Sequence, residues 1–387
     1  MRAPPRVLDV AHDEPADFDA CHRHALPERL ATPLGAAAAR DVREIAPMAF
    51  RLTDGRAYRF APDEDTIRIE PGDDAPTVAE LDEAAWRDFA GEILTGPGLF
   101  YGGRVRFPRG EFAALERWEP ALRALLCGRP IFDPSANDVG VDPRRSFTLD
   151  DADEALRAQL WTTGYLHVRA AFSRDEIARL VEIVARRQDA ARPGDGSSWW
   201  AKRADGEQVL CRLIYLGLVE PGVAALDDDP RIRRLTALGG ETLRPVLDRS
   251  DGHGVVIKNP DVVEGLSDLP WHRDCGLGGH PIRCPSLNIG IQLDAATAES
   301  GRLHFVPGSW RYSCHRSDLA RATSIAVDTE PGDVTVHLGD VMHAAPPPTG
   351  SGPGRRALYV TCMPARAYDV IPAGKSYNDV ILARVGA

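Results

Sequence analysis

Residues 286–294 read SLNIGIQLD, and the alternation in that segment decides the fold. Leu287, Ile289, Ile291 and Leu293 fall on one parity, and Asn288, Gly290 and Gln292 on the other. A strand with this pattern turns an apolar face and a polar face in opposite directions. Similar short runs surround it: GVVIK at 254–258, RLHFV at 302–306, SIAVD at 324–328, DVTVHLGDVMH at 333–343 and RALYVTCM at 356–363. Six short strands punctuated by Gly and Pro predict a β-sandwich or jelly roll with flanking helices.

Upstream of these strands the pattern changes. A helix is expected over about Leu149–Thr162, followed by the strand YLHVRA. Ser173 and Glu176 then match the S-x-x-E capping box, and Ile177, Leu180, Val181 and Val184 give the helix it opens a core-facing stripe. PGDGSSWW (193–200) reads as a loop, and a further helix is expected around 229–248. Closer to the N-terminus, Phe50, Leu52, Tyr58, Phe60, Ile67 and Ile69 lie in alternating runs split by turn residues, which reads as hairpins. Thr77–Leu94 has near-helical apolar spacing. GLFYGGRVRF looks like a Gly-broken turn into a strand, and residues 110–126 form an amphipathic helix. The Pro/Asp-rich stretch 129–146 separates the two patterns. The expected organisation is an N-terminal extension (1–40), a smaller α+β domain (41–132), a linker (133–146) and a larger domain (147–387). The fold class is α+β.

Composition narrows the function. The 387 residues carry 46 Lys+Arg against 57 Asp+Glu, a formal charge of −11. An acidic chain has no long-range attraction for nucleic-acid phosphates or anionic membranes, so neither is expected as a partner. Seven cysteines without a C-x-x-C pair suggest neither a disulfide framework nor a structural zinc site. Without a signal-like start or an apolar run of membrane-spanning length, the expected location is the cytoplasm.

The chemistry lies in LPWHRDC (269–275). His272 and Asp274 are two apart, so in an extended segment both project from one face and can bind one ion. His343, in GDVMHAAPPP, comes late enough for a later strand to return beside the first. Two histidines and one carboxylate make the facial triad of non-haem Fe(II) oxygenases, which leaves three metal positions for co-substrate and dioxygen. His337 rivals His343 as the distal ligand only if their strand is unbroken, and Gly339-Asp340 argues for a break. Arg355 opens the strand that follows, and its planar guanidinium suits the distal carboxylate of a dicarboxylate such as 2-oxoglutarate. Arg356 points the other way, so one of the two faces out; Arg355 is the better candidate. Asn288 and Gln292 line either a cavity or a solvent-facing strand. Lys258 is either a second cationic anchor or a solvated lysine. Trp271, Trp199 and Trp200 are candidate walls of a substrate pocket, the last two in a loop that would suit a lid, although either could be packing.

From about Phe147 to the end, the order of GYLHVRAAFSRDEI, WHRD, IQLDAATAESGRLHFVPGSW, GDVTVHLGDVMHAA and RRAL resembles the phytanoyl-CoA dioxygenase-like Fe(II)/2-oxoglutarate oxygenases. The resemblance implies a double-stranded β-helix core, Fe(II) on His272, Asp274 and His343, 2-oxoglutarate anchored by Arg355, and dioxygen as oxidant. Halogenating relatives lack the metal carboxylate, so Asp274 implies hydroxylation or another oxidation. The chain departs from the pattern at Ala345, where such enzymes often carry a Ser or Thr that helps hold the co-substrate. Residues 40–132 resemble a sterol-carrier-type domain, which implies a hydrophobic small molecule such as a lipid, acyl thioester, terpenoid or polyketide. Two other readings compete: a non-catalytic carrier or sensor that keeps the oxygenase shape, and a cupin-like metal enzyme that does without 2-oxoglutarate.

Overall fold

The structure is a computed structural model. It describes residues 17–135, 137–240, 242–264, 269–276, 286–313, 317–349 and 354–364. The expectations for residues 1–16 and 365–387 lie outside the described residues.

The N-terminal unit is built on a five-stranded sheet. Its order is Thr66–Pro71, Ala57–Asp63, Met48–Leu52, Thr77–Leu81 and Arg106–Arg109. Met48–Leu52 and Thr77–Leu81 pair in parallel at the centre. Thr77–Leu81 therefore corrects the expectation of one helix over Thr77–Leu94. Thr77, Val78, Ala79 and Leu81 are all buried, as a central strand requires. The helix starts only at Glu83, where the Asp82 carboxylate accepts from the Ala85 amide at 2.6 Å and ends the strand. A six-residue helix, Gly96–Tyr101, replaces the expected turn. The helix Phe112–Cys127 packs on Pro33–Val42, and Phe50, Phe60, Trp86, Phe89 and Trp118 fill the space beneath them.

In the larger unit, one sheet runs in the order Val262–Glu264, Ser198–Arg203, Gln208–Leu213, His253–Lys258, Arg355–Pro364, Leu287–Gln292, Val334–Leu338, Tyr165–Val168 and Ser146–Phe147. Facing it is a four-stranded sheet of Leu269–His272, His343–Ala345, Leu303–Phe305 and Ile325–Val327. This is a double-stranded β-helix core with flanking helices. The apolar parity of 286–294 points outward: Ile289 and Ile291 join Val255, Ile257, Val334, Val336, Leu358 and Val360 under Leu160, Val184, Ile232 and Leu235 of the covering helices. Each such side chain contributes roughly 1.5–3 kcal/mol by leaving water, which fixes the register and commits the polar parity to the interior.

Two further expectations are corrected. The helix around 229–248 ends at Gly239, and Leu243–Pro245 turns into a strand paired with the end of Arg355–Pro364. The supposed loop at 193–200 gives way at Ser198 to a strand that forms a hairpin with Gln208–Leu213. The stretch after residue 129 is also no free spacer. Phe132 is buried against Val306 and Met342, and the Asn137 amide donates to the Pro307 carbonyl at 2.8 Å.

Candidate metal centre

His272 and His343 stand directly opposite each other on paired strands, their ring centroids 4.3 Å apart. Cross-strand pairing thus solves the problem posed by a separation of 71 positions along the chain. Asp274 follows just past the strand. Its Oδ1 lies 3.5 Å from His272 Nε2 and 3.8 Å from His343 Nε2. The donor atoms of the three residues all lie within 4.8 Å of one another. Each imidazole is oriented from behind: the Pro270 carbonyl lies 2.7 Å from His272 Nδ1, and the Val341 carbonyl 3.0 Å from His343 Nδ1. Placing the proton on Nδ1 leaves both Nε2 lone pairs aimed at Asp274, the tautomer a metal requires. Burial, together with the neighbouring His272, pushes His343 down to about 3, so it is a neutral donor at physiological pH. Burial alone would raise the Asp274 carboxyl, but His343, His272 and His337 hold it well below the ordinary range. Two imidazoles and one carboxylate, each with a lone pair converging on one point, fit a ferrous ion.

The outer oxygen of Asp274 is separately held. Asn288 Nδ2 donates to Oδ2 at 2.6 Å, and His337 Nε2 lies 3.2 Å from the same atom. His337, Asn288 and Thr361 are register partners on three adjacent strands, and the Thr361 hydroxyl donates to Asn288 Oδ1 at 2.8 Å. The break at Gly339-Asp340 is real. It sends His343 to the smaller sheet and leaves His337 on the larger one, behind the carboxylate. The Asn288 side-chain amide is thus engaged by Asp274 on one side and by Thr361 on the other.

The polar parity continues outward from there. Arg355 is 1% exposed and directly opposite Lys258, which is also buried. Arg355 Nε donates to the Gly301 carbonyl at 2.8 Å, while its Nη1 is buried with no partner among the described residues. Arg356 points to the outer surface and pairs with Asp294 at 2.8 Å. The Lys258 ammonium donates to the carbonyl of Ala345. Gln292 Nε2 reaches the Gly290 carbonyl and Thr335 Oγ1, and its Oε1 is buried without a partner among the described residues. Gly290 is obligatory here: a β-carbon would lie 2.7 Å from the Tyr359 ring and 2.9 Å from Thr335 Oγ1.

Residues 161–357 match the sequence profile of the phytanoyl-CoA dioxygenase (PhyH) family. The chain belongs to this family. The PhyH family is Fe(II)- and 2-oxoglutarate-dependent and uses dioxygen, so the protein is a 2-oxoglutarate-dependent oxygenase. Among solved structures, AviO1 from Streptomyces viridochromogenes Tue57 is 24% identical, with 57% of this chain and 98% of that chain covered and a TM-score of 0.46. The carbocyclase SnoK from nogalamycin biosynthesis is 21% identical over 62% of this chain and 93% of its own, TM-score 0.47. EctD from S. alaskensis is 20% identical over 62% and 83%, TM-score 0.46. No curated protein matches.

The three tryptophans are spread around this PhyH-family oxygenase. Trp271 alternates with His272, so it faces away from the ligands and packs against the cluster of Phe132, Val306 and Met342. Trp199 lies across from Arg212, in the row that continues through Val256 and Ala357 to Gln292, and so it faces inward. It is 2% exposed, within a strand rather than a mobile loop. Trp200 takes the other face against the main core. Sequence reading missed Tyr359 and Thr361, although both share the parity of Arg355 on a ten-residue strand. It also missed Arg273 and Asp340, for which no local signal exists. Among the described residues, no helix is long and apolar enough to cross a membrane.

Proposed function

We propose that the protein hydroxylates a largely apolar small molecule, with His272, Asp274 and His343 holding Fe(II) and Arg355 holding the distal carboxylate of 2-oxoglutarate. The observation that carries this reading is the Asp274 carboxylate, convergent with both imidazoles and locked by Asn288 and His337. When bound, the metal supplies the activation of dioxygen that no side chain provides. Overall, 2-oxoglutarate, dioxygen and R–H give succinate, carbon dioxide and R–OH, one oxygen atom going to each of succinate and product.

The chain's own residues do the placing. Pro270 and Val341 carbonyls fix the imidazole tautomers, and Asn288 and His337 fix the carboxylate. Arg355 brings a buried cation with an open Nη1, which a co-substrate carboxylate would complete. Lys258, its cross-strand neighbour, adds positive charge to the same wall. Trp199 is assigned to packing beneath the inner face, with Arg212 over its ring at 5.4 Å. The apolar character of the substrate is supported by the sterol-carrier resemblance of residues 40–132. A cytoplasmic location is supported by Cys21 and Cys362, both buried as free thiols.

The test is succinate formation with added Fe(II) and 2-oxoglutarate across a panel of lipids, acyl thioesters, terpenoids and polyketides, with labelled dioxygen. A product heavier by one oxygen atom from the gas is expected, and Asp274→Ala and His343→Ala should abolish turnover. Normal turnover in both variants would reject the ligand set, and a product lacking two hydrogens instead would reject hydroxylation.

A further inference from the structure

We infer that the N-terminal unit is a positioning element of the metal centre, with Thr95 and Arg129 clamping the two segments that carry the metal ligands. This inference rests on the ligand assignment above and goes beyond it.

Two contacts make the clamp. The first is at Gly276, two residues past Asp274. Its carbonyl accepts from both the Thr95 amide, at 3.0 Å, and the Thr95 hydroxyl, at 2.9 Å. The approach is so close that a β-carbon on Gly98 would lie 2.1 Å from that carbonyl oxygen. The second is at Asp340, three residues before His343. Both terminal nitrogens of Arg129 lie 3.3 Å from Asp340 Oδ2, and Arg129 Nε lies 2.9 Å from Glu92 Oε1. On its other side Asp340 Oδ1 lies 3.7 Å from Nη1 of Arg273, the residue between His272 and Asp274. Glu92, Arg129, Asp340 and Arg273 thus alternate in charge from the N-terminal unit to the ligand segment, and none of the four side chains is more than 13% exposed. Asp340 couples the segment bearing His272 and Asp274 to the segment bearing His343, and Arg129 holds Asp340 from outside.

The loop that presents Thr95 is itself rigidly supported. The Gly96 amide donates to both oxygens of the buried Glu119 at 3.0 Å. Arg123 pairs with Glu119 at 3.0 Å, donates to the Leu94 carbonyl at 2.7 Å and also donates to the Phe89 carbonyl. Burying an ion pair gains little stability over apolar packing, and its best-attested use is to fix a single arrangement. A metal site tolerates little looseness, because donors must be held to within about half an ångström of the bonding geometry.

The test uses the full chain and Co(II) as an optical probe of the metal site, in parallel with thermal unfolding. Arg129→Met, Thr95→Val and Gly98→Ala should each weaken Co(II) affinity by tenfold or more and alter the spectrum of the bound ion. Arg129→Lys should recover part of the affinity. Phe60→Leu, a substitution in the N-terminal core away from the clamp, should lower the unfolding temperature yet bind Co(II) like the parent. Gly98→Ala is diagnostic, since within a helix that change alone favours folding. If the parent chain takes up no Co(II), the ligand assignment fails. If the parent binds and Arg129→Met and Thr95→Val bind within twofold of it, the clamp is refuted, and the same holds if Phe60→Leu weakens binding as much as they do.

Discussion

Replacing Arg355 by Met separates co-substrate binding from folding. The guanidinium is buried on the inner face, with Nε on the Gly301 carbonyl and Nη1 unsatisfied, and burial lowers its pKa because the charged form is poorly solvated there. A dicarboxylate that completes this group gains a charge-assisted hydrogen bond of about 1.5–3 kcal/mol. Losing it corresponds to a rise in the 2-oxoglutarate dissociation constant of roughly 10- to 150-fold. The empty protein loses a costly buried charge together with the Gly301 bond and the Tyr359 contact, so its urea midpoint should change far less than the co-substrate affinity. Calorimetric titration of 2-oxoglutarate into the Mn(II)-loaded chain, without oxygen turnover, measures the first effect, and urea unfolding the second. Arg356→Met is the internal control: its partner Asp294 lies on the opposite face, and 2-oxoglutarate affinity should be unaltered. Binding within threefold of the parent for Arg355→Met, or a comparable loss for Arg356→Met, would refute the assignment of the inward guanidinium as the anchor.

Three other outcomes are expected. Gly290→Ala must displace the Tyr359 ring or Thr335; a stability loss of about 1–3 kcal/mol and weaker 2-oxoglutarate binding should appear together, and neither would appear if the inner face were loosely packed. His22, stacked on Tyr58 at 4.3 Å and pushed down to about 4 by burial, stays neutral in the fold while the unfolded chain protonates near 6.5. Because the unfolded state binds that proton first, stability is intact above pH 6.5 and declines by about 3 kcal/mol as pH falls to 4; urea unfolding of His22→Phe across this range should lack that share of the decline. Ser173 accepts from the Glu176 amide at 3.3 Å while Glu176 returns to the Ser173 amide at 2.8 Å, so Ser173→Ala should cost about 1 kcal/mol, and an unchanged unfolding midpoint would show the helix needs no cap.

Local pattern was sufficient wherever burial and periodicity agree. The parity of 286–294, the capping box at Ser173 and the break at Gly339-Asp340 were all legible, because a buried strand with one apolar and one polar face or a helix capped by its own side chain leaves its mark within a few residues. Legibility failed where the two buried faces of a strand do not differ in polarity along the run, as at Val78 and Ala79, or where a turn is tight. Thr77–Leu81 lies at the centre of a sheet, so it lost the alternation that would have distinguished it from the helix after Asp82. Ser198–Arg203 was obscured by the Gly/Ser turn preceding it.

The sequence by itself determined which residue types could hold a ferrous ion and a dicarboxylate, since imidazole, carboxylate and guanidinium carry that chemistry wherever they stand. Tertiary structure alone decided how they are used. Cross-strand register put His343 rather than His337 opposite His272, and pairing across three strands set Asn288 within hydrogen-bonding reach of Asp274. A buried chain of charges tied Glu92 and Arg129 to a ligand segment more than 140 positions away. Contacts over such separations depend on how faces pack, and no local pattern records them.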